Sequence, residues 1–144
     1  MISDTIIARL KAQVAALGDR VDGAAALAPL IDGNELPATT PIAFVVPLGL
    51  DAGRAESSTG THRQMMHLRW GVLLVIDYAG DATGVETMPE VGEIAKAIRE
   101  ALSGWQPGSD GVLELKREFL VKLAKGTVFY ELDFSVDEQL RIIS

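Results

Sequence analysis

The chain has 144 residues, a formal net charge of −7 and no cysteine. This length is typical of a single domain and allows a core large enough to fold without disulfides or a structural metal. The lack of cysteine excludes disulfide scaffolds, thiolate zinc sites, iron–sulfur clusters and cysteine nucleophiles. The acidic balance argues against binding nucleic acid or an anionic membrane through the overall field of the protein.

No targeting or membrane-spanning segment is predicted. The first residues, Met1 to Asp4, lack a basic stretch, and Arg9 and Lys11 interrupt the apolar positions that follow. The longest apolar run, Val72 to Ile76, is far shorter than the roughly 20 residues that a membrane helix needs. We therefore expect the protein to stay in the cytoplasm of the cell that makes it.

Two helices are predicted from apolar residues that recur every three or four positions. The first has Ser3 as its N-cap and ends at Gly18, and the second begins at Thr87 and ends at Gly104. Their apolar stripes are formed by Ile6, Leu10, Val14 and Leu17 in the first helix and by Val91, Ile94, Ala95, Ile98, Leu102 and Trp105 in the second. Between them, Pro29 predicts an irregular helix in the alanine-rich segment 22–32.

Four strands are predicted, at 42–48, 64–78, 113–123 and 128–136, and the last two form a hairpin with a turn at 124–127. In the third strand the alternation predicts one shared face, formed by Leu113, Leu115, Arg117, Phe119, Val121 and Leu123. The second strand is the longest. Its even-numbered residues from Met66 to Tyr78 are apolar, whereas the other face changes from polar to apolar at Leu73 and Val75, so only one end should be covered on both faces.

Residues 49–63 (GLDAGRAESSTGTHR) are rich in Gly, Ser and Thr, and predict a long mobile loop. A loop of this length inside a compact domain is usually functional or disordered. The element order is helix, helix, strand, strand, helix, strand, strand. It predicts one α+β domain over residues 1–144, with an antiparallel (mixed) four-stranded sheet and helices packed on one face.

No catalytic, cofactor or metal site is predicted. The two histidines, His62 and His67, are five positions apart on a loop and a strand, which is not the helical spacing of a metal pair. No serine lies in a G-x-S-x-G sequence, and the spaced glycines lack the Lys-Ser/Thr of a phosphate loop. These absences favour a protein that is not an enzyme and has no cofactor.

Three features favour assembly with a partner: the charged loop 49–63, strands longer than the body needs, and an acidic stretch followed by an apolar C-terminal segment. The last feature comprises Glu131, Asp133, Asp137 and Glu138, and then Leu140, Ile142 and Ile143. A segment of this kind docks either on its own core or on a neighbouring subunit. A monomer with a free loop and a self-packed C-terminus is the alternative.

A series of short stretches, in order along nearly the whole chain, resembles the tail terminator (tail completion) proteins of long-tailed bacteriophages and prophages. The stretches are IIARLK (6–11), the Ala-rich 23–30, AFVVPLG (43–49), TGTHRQ (59–64), RWGVLLV (69–75), GDATG (80–84), ALSGW (101–105) and the closing hairpin. The resemblance implies a structural virion protein with a mixed sheet covered by helices. It implies a homohexameric ring at the head-proximal end of the tail tube, which ends tube polymerisation and presents a surface to head-completion or neck proteins.

On this resemblance, the interface with the tube or a neighbouring subunit is expected at Asp51, Arg54, Glu56, Arg63 and Arg69. Loop 49–63 would become ordered only in the ring, with Arg54 and Arg63 as charged anchors, and DNA would only pass through an acidic lumen that repels it. The protein would be assembled in the host cytoplasm and end in the virion tail. Another head–tail adaptor, a tail tube subunit, a small-molecule binding domain and a small enzyme remain open.

Overall fold

The computed structural model describes residues 2–32, 37, 39–77, 87–108, 111–124 and 126–143. Its elements are α1 (Ile2–Gln13), β1 (Val21–Gly23), a 3-10 turn (Ala24–Leu27), α2 (Ala28–Asp32), β2 (Ile42–Ser58), β3 (Thr61–Asp77), α3 (Thr87–Leu102), β4 (Leu113–Ala124) and β5 (Thr127–Ile143). The GDATG stretch at 80–84, Tyr78 and Lys125 of the predicted hairpin turn lie outside the described residues.

The described strands form one mixed sheet in the order β1-β2-β3-β5-β4. β1 is parallel to β2, with Val21 opposite Ala43, and the other neighbouring strands are antiparallel. The predicted α+β class is therefore confirmed, but the sheet has five strands where four were predicted. The sequence does not reveal β1 because three residues with one buried apolar side chain, Val21, are too short to show a strand period.

The main core lies between the sheet and helices α1 and α3, on what we call the helical face. The predicted stripe of the first helix is buried, although α1 itself ends at Gln13 and Leu17 lies in the following turn. The stripe of α3 is buried as well, with Trp105 packed at its margin. Gly104, just beyond α3, has φ +76, a left-handed conformation that glycine adopts without strain and that ends the helix as predicted.

The opposite face of the sheet is covered at one end by the 3-10 turn and α2. Here Ala26, Leu27 and Leu30 pack on a second apolar cluster formed by Phe44, Val75 and Phe129. Successive strand residues point to opposite faces, so this cluster lies behind the main core. The prediction that all helices pack on one face is therefore wrong, because the alanine-rich segment covers the aromatic residues on the other face. The predicted double coverage of β3 near Leu73 and Val75 is confirmed.

β4 is an edge strand with two irregularities. Its register against β5 shifts between Leu115 and Arg117 and again between Leu120 and Lys122. Each extra residue reverses which side chains point towards the helices. The shared face predicted for 113–123 is therefore wrong: Leu113 and Leu115 face the helices, whereas Arg117 and Phe119, opposite Asp133 and Glu131, point away from them.

The shifted register turns Glu118 towards the helical face, where it joins β4 to α3 and β5. Its carboxylate accepts hydrogen bonds from Arg99 Nε, from Arg99 Nη2 at 2.9 Å and from the Tyr130 hydroxyl at 3.1 Å. The hydrogen bonds from Arg99 lower the pKa of Glu118 below its ordinary value. The side chain is 11% exposed, so water compensates little if these bonds are lost.

Glu118→Gln should lower the free energy of unfolding by about 1–2 kcal/mol at neutral pH, because hydrogen bonds to a charged group are stronger than neutral ones. Since the folded pKa is lowered, this contribution is complete above the ordinary pKa and is lost as the pH falls through the folded value. Denaturant titrations at neutral pH and near pH 3 should show a deficit that shrinks in acid. The control is Glu114→Gln. Glu114 is exposed and its carboxylate lies 3.1 Å from Lys116 Nζ, so this substitution should change stability by less than about 1 kcal/mol. An equal deficit at both pH values would contradict the assignment.

β2, β3 and β5 continue beyond the core as a three-stranded arm, which we define as residues 49–69 together with 137–143. None of the buried core residues falls in these ranges. Thr61 to Ile143 and Asp77 to Thr127 are the end pairs of an unbroken β3–β5 ladder. The arm is therefore roughly 25 Å long at about 3.3 Å per residue.

The prediction of a loop at 49–63 is wrong. Residues 49–58 belong to β2, and a two-residue turn at Thr59 and Gly60 leads directly into β3. Gly60 has φ +81, which such a turn requires and which a side chain would disfavour. The segment lacks an apolar alternation because neither of its faces meets the core, so its composition is that of a loop although its backbone is paired.

Candidate assembly surface

All five predicted interface residues lie on the arm, with Asp51, Arg54 and Glu56 on β2 and Arg63 and Arg69 on β3. Glu56 is directly opposite Arg63, and directly paired residues in antiparallel strands share a face. The odd-numbered residues of β3 alternate with the core residues of the helical face. Arg63 and Arg69 therefore point to the other side, which we call the charged face.

A shallow depression of about 270 Å³ lies at the base of the arm and is lined by Asp51, His67, Arg69, Lys116 and Ser135. Arg69 Nε is 3.9 Å from Asp51 Oδ2, and these side chains are 40% and 67% exposed. His67 Nδ1 lies 2.5 Å from Asp137 Oδ1, which joins β3 to β5. Lys116 Nζ lies 3.1 Å from Glu114 Oε2, so Arg69 is the more loosely paired of the two side chains and has more freedom to bind a partner.

A second depression of about 160 Å³ lies farther along the arm and is lined by Arg54, Glu56, Arg63, Gln64, Met65 and Gln139. Gln64 Nε2 donates a hydrogen bond to the carbonyl oxygen of Gly53 at 2.9 Å, which holds the irregular register between Ala52 and Ala55. The structure therefore distributes the five predicted residues over two depressions, with Asp51 and Arg69 in one and Arg54, Glu56 and Arg63 in the other.

The arm also carries apolar residues on its helical face that the sequence analysis did not combine into one surface. The apolar residues that face this way are Leu50, Ala52, Met66, Leu68, Leu140 and Ile142, and they share the face with His62, Gln64 and Glu138. Leu50 is 50% exposed and Ile142 is 51% exposed. Leu50 was not recognised as a surface residue of a strand because it belongs to the segment that was predicted to be a loop. The C-terminal Leu140 and Ile142 were expected to dock on the core or on a neighbour, and the structure places them on the arm, where they pair with Gln64 and His62 of β3.

The described residues include no group of three or more His, Cys, Asp or Glu side chains placed to hold a metal ion. No helix within the described ranges is both long and apolar enough to cross a membrane.

The family model of the phage tail terminator protein matches residues 2–144. The chain belongs to the phage tail terminator family. A chain in the solved virion of a native gene transfer agent (GTA) particle has a similar fold, with a TM-score of 0.57 and 19% identity over 99% of this chain and 94% of that chain. No curated protein matches the chain.

As a member of this family, the chain is a structural protein of the virion tail and not an enzyme. This confirms the predicted family and the predicted non-enzymatic class. The likeness to the gene transfer agent chain independently supports the α+β fold over nearly the full length of both chains.

Proposed function

We propose that the protein forms a homohexameric ring that caps the head-proximal end of the tail tube. The ring ends tube polymerisation and provides the surface to which the head-completion or neck proteins attach. The observation that carries this proposal is the arm, a sheet extension without a core of its own that exposes Leu50 and Ile142 on its helical face and carries Arg63 and Arg69 on its charged face.

The apolar residues on the helical face of the arm support a contact between subunits. Leu50 and Ile142 are half-exposed in the isolated chain, although they belong to ordered strands. Burying such side chains gains roughly 25 cal/mol per Å² of apolar surface. A neighbouring subunit seated on this face would supply that burial, and repetition of the same contact around an axis closes a ring.

The charged face of the arm supports specific recognition. Arg54 and Arg63 line one depression and Arg69 the other, and each depression also has an acidic residue, Glu56 or Asp51. Paired charges of this kind contribute more to orientation and partner choice than to affinity. We propose these five residues as contacts to the tail tube or to the neighbouring subunit, with Arg54 and Arg63 as the principal anchors.

The net charge of each subunit supports a passive role towards DNA. The chain carries −7, and a ring multiplies this charge by its copy number. A negative lumen would repel the phosphate backbone and let DNA pass without being held.

Negative-stain electron microscopy and light scattering of the purified protein test the proposal. We expect single-layer rings with a fixed copy number, formed alone or after mixing with the tail tube protein of the same particle. Long stacked polymers of this chain alone would instead identify a tube subunit. Monomers under both conditions would contradict the ring.

A further inference from the structure

Two carboxyl groups lie next to each other on the charged face of β5, at Glu131 and Asp133, since residues two apart on a strand share a face. Asp133 is only 3% exposed. Its Oδ2 accepts a hydrogen bond from Arg117 Nε at 2.8 Å, whereas its Oδ1 is buried and receives no hydrogen bond from an N–H or hydroxyl group of the described residues. A buried carboxylate oxygen without a donor is costly, so the surroundings of Oδ1 require an explanation.

Among the described residues, Arg117 is the one cation in contact with this pair of acids. On β4, Arg117 binds Asp133 and lies over the Phe119 ring at 4.6 Å, while Lys122 lies over Phe129 at 4.8 Å. On β3, the residues opposite Asp133 and Glu131 are the uncharged Gly71 and Leu73, and Arg69 acts on Glu131 only through its field. The described residues that cover this side of the sheet, Ala26, Leu27 and Leu30, are apolar.

A protonated Glu131 would supply the missing donor. Burial first, and then the hydrogen bond with Asp133 and the negative charge of Asp133, raise the pKa of Glu131 to about 7. Arg117 and Arg69 act in the opposite direction but do not cancel these effects. A proton on Glu131 therefore explains both how Asp133 Oδ1 can be buried and why the pKa of Glu131 is raised.

We propose that Glu131 and Asp133 hold one proton between them, with the Glu131 carboxyl donating to Asp133 Oδ1, and that losing this proton loosens β4 from β5. When the proton leaves, two adjacent carboxylates repel each other and compete for Arg117. Arg117 is the side chain that ties the irregular part of β4 to Asp133. The pair thus makes the attachment of the edge strand β4 to β5 depend on pH near neutrality. This applies to the isolated subunit, whether or not it forms rings.

The sign of the pH dependence follows from the raised pKa of Glu131. Between its ordinary value of 4.5 and the folded value of about 7, the folded chain holds a proton that the unfolded chain has released. The contribution of the pair to stability is therefore complete in acid, falls over this window and stays low above it. Glu131→Gln places a permanent amide donor beside Asp133 Oδ1, so the variant should keep the stability of the protonated form.

The test compares melting temperatures of wild type, Glu131→Gln and the exposed control Glu114→Gln from about pH 5 to pH 8.5. We expect wild type and Glu131→Gln to melt together in acid, and Glu131→Gln to melt higher above pH 7, while Glu114→Gln follows wild type. Hydrogen-exchange protection of the β4 amides should fall above pH 7 in wild type and stay constant in Glu131→Gln. Parallel melting and protection profiles for all three proteins would overturn the proposal.

Carbon-detected NMR of the side-chain carboxyls provides a second readout that does not depend on stability. The Glu131 signal should titrate near pH 7 in wild type and more than one pH unit lower in Asp133→Asn, which removes the neighbouring charge. A wild-type midpoint near the ordinary value of 4.5 would overturn the proposal even if the melting profiles differed.

Discussion

Replacing residues 53–65 with Asn-Gly is expected to give a folded subunit that no longer assembles into rings. Ala52 and Met66 are opposite each other in register, so a two-residue turn can close the hairpin at that pair. The removed stretch contains no buried core residue, and the body should fold as before. It contains Arg54, Glu56 and Arg63 and supports the β5 segment with Ile142, so both faces of the arm lose their outer half.

Light scattering and electron microscopy should show complete loss of rings, with circular dichroism confirming the folded body. Thr59→Asn is the matched control, because it installs the same Asn-Gly turn at the natural end of the hairpin and leaves the arm intact. If the shortened arm is unstable, Leu50→Asp combined with Ile142→Asp removes the apolar contact without changing the backbone. Rings formed by either arm variant would show that the arm does not carry the subunit contact.

Phe134→Ala should lower the free energy of unfolding by about 3–5 kcal/mol, the range for removing a buried aromatic side chain. Phe134 is 1% exposed and lies between Trp70 of β3 and Leu115 of β4 in the register of the sheet, on the helical face. Its loss leaves a cavity at the place where the core ends and the arm begins. For a chain of this size, the melting temperature should fall by roughly 10 °C or more.

Denaturant titration is the direct measurement for Phe134→Ala. Leu123→Ala is the control, since Leu123 is 55% exposed on the same sheet and its truncation should change stability by less than about 0.5 kcal/mol. A loss below about 1 kcal/mol for Phe134→Ala, or equal losses for both variants, would contradict the position of the core.

The parts of the fold that could be predicted from sequence are those whose pattern is imposed by the core. The stripe from Ile6 to Leu17, the stripe of α3 and the end of α3 at Gly104 follow from helical periodicity and glycine chemistry. The double coverage of β3 near Val75 follows from a run of apolar residues on both of its faces. In each case the residues that form the local pattern are also the residues that the structure buries.

The parts that could not be predicted depend on partners that are distant in sequence. The arm has no apolar alternation in β2 because water meets both faces, so only its pairing with β3 and β5 reveals a strand. The reversal of faces in β4 depends on one inserted residue after Leu115. The same insertion brings Arg117 to Asp133, a buried acid that the sequence analysis named only as part of an acidic stretch.

The charged residues of the arm were named from the sequence as contact candidates, whereas its apolar residues were not combined into one surface. The charged residues were recognised as contact candidates because they cluster in a polar segment, and the structure places them on one projecting arm. Leu50 and Ile142 are 92 positions apart along the chain and come to the same face only through β3. The register of the three strands must be known before one can see that both residues are exposed on the same face.

The growth of tail tubes in the presence of this protein tests the central claim most directly. Tail tube protein from the same particle would be polymerised with increasing amounts of the purified chain, and tube lengths would be measured by electron microscopy. The account predicts shorter tubes, each capped by one ring at one end, and no shortening with the variant in which Asn-Gly replaces residues 53–65. Tubes of unchanged length, or the chain incorporated along the tube wall, would contradict a terminating ring.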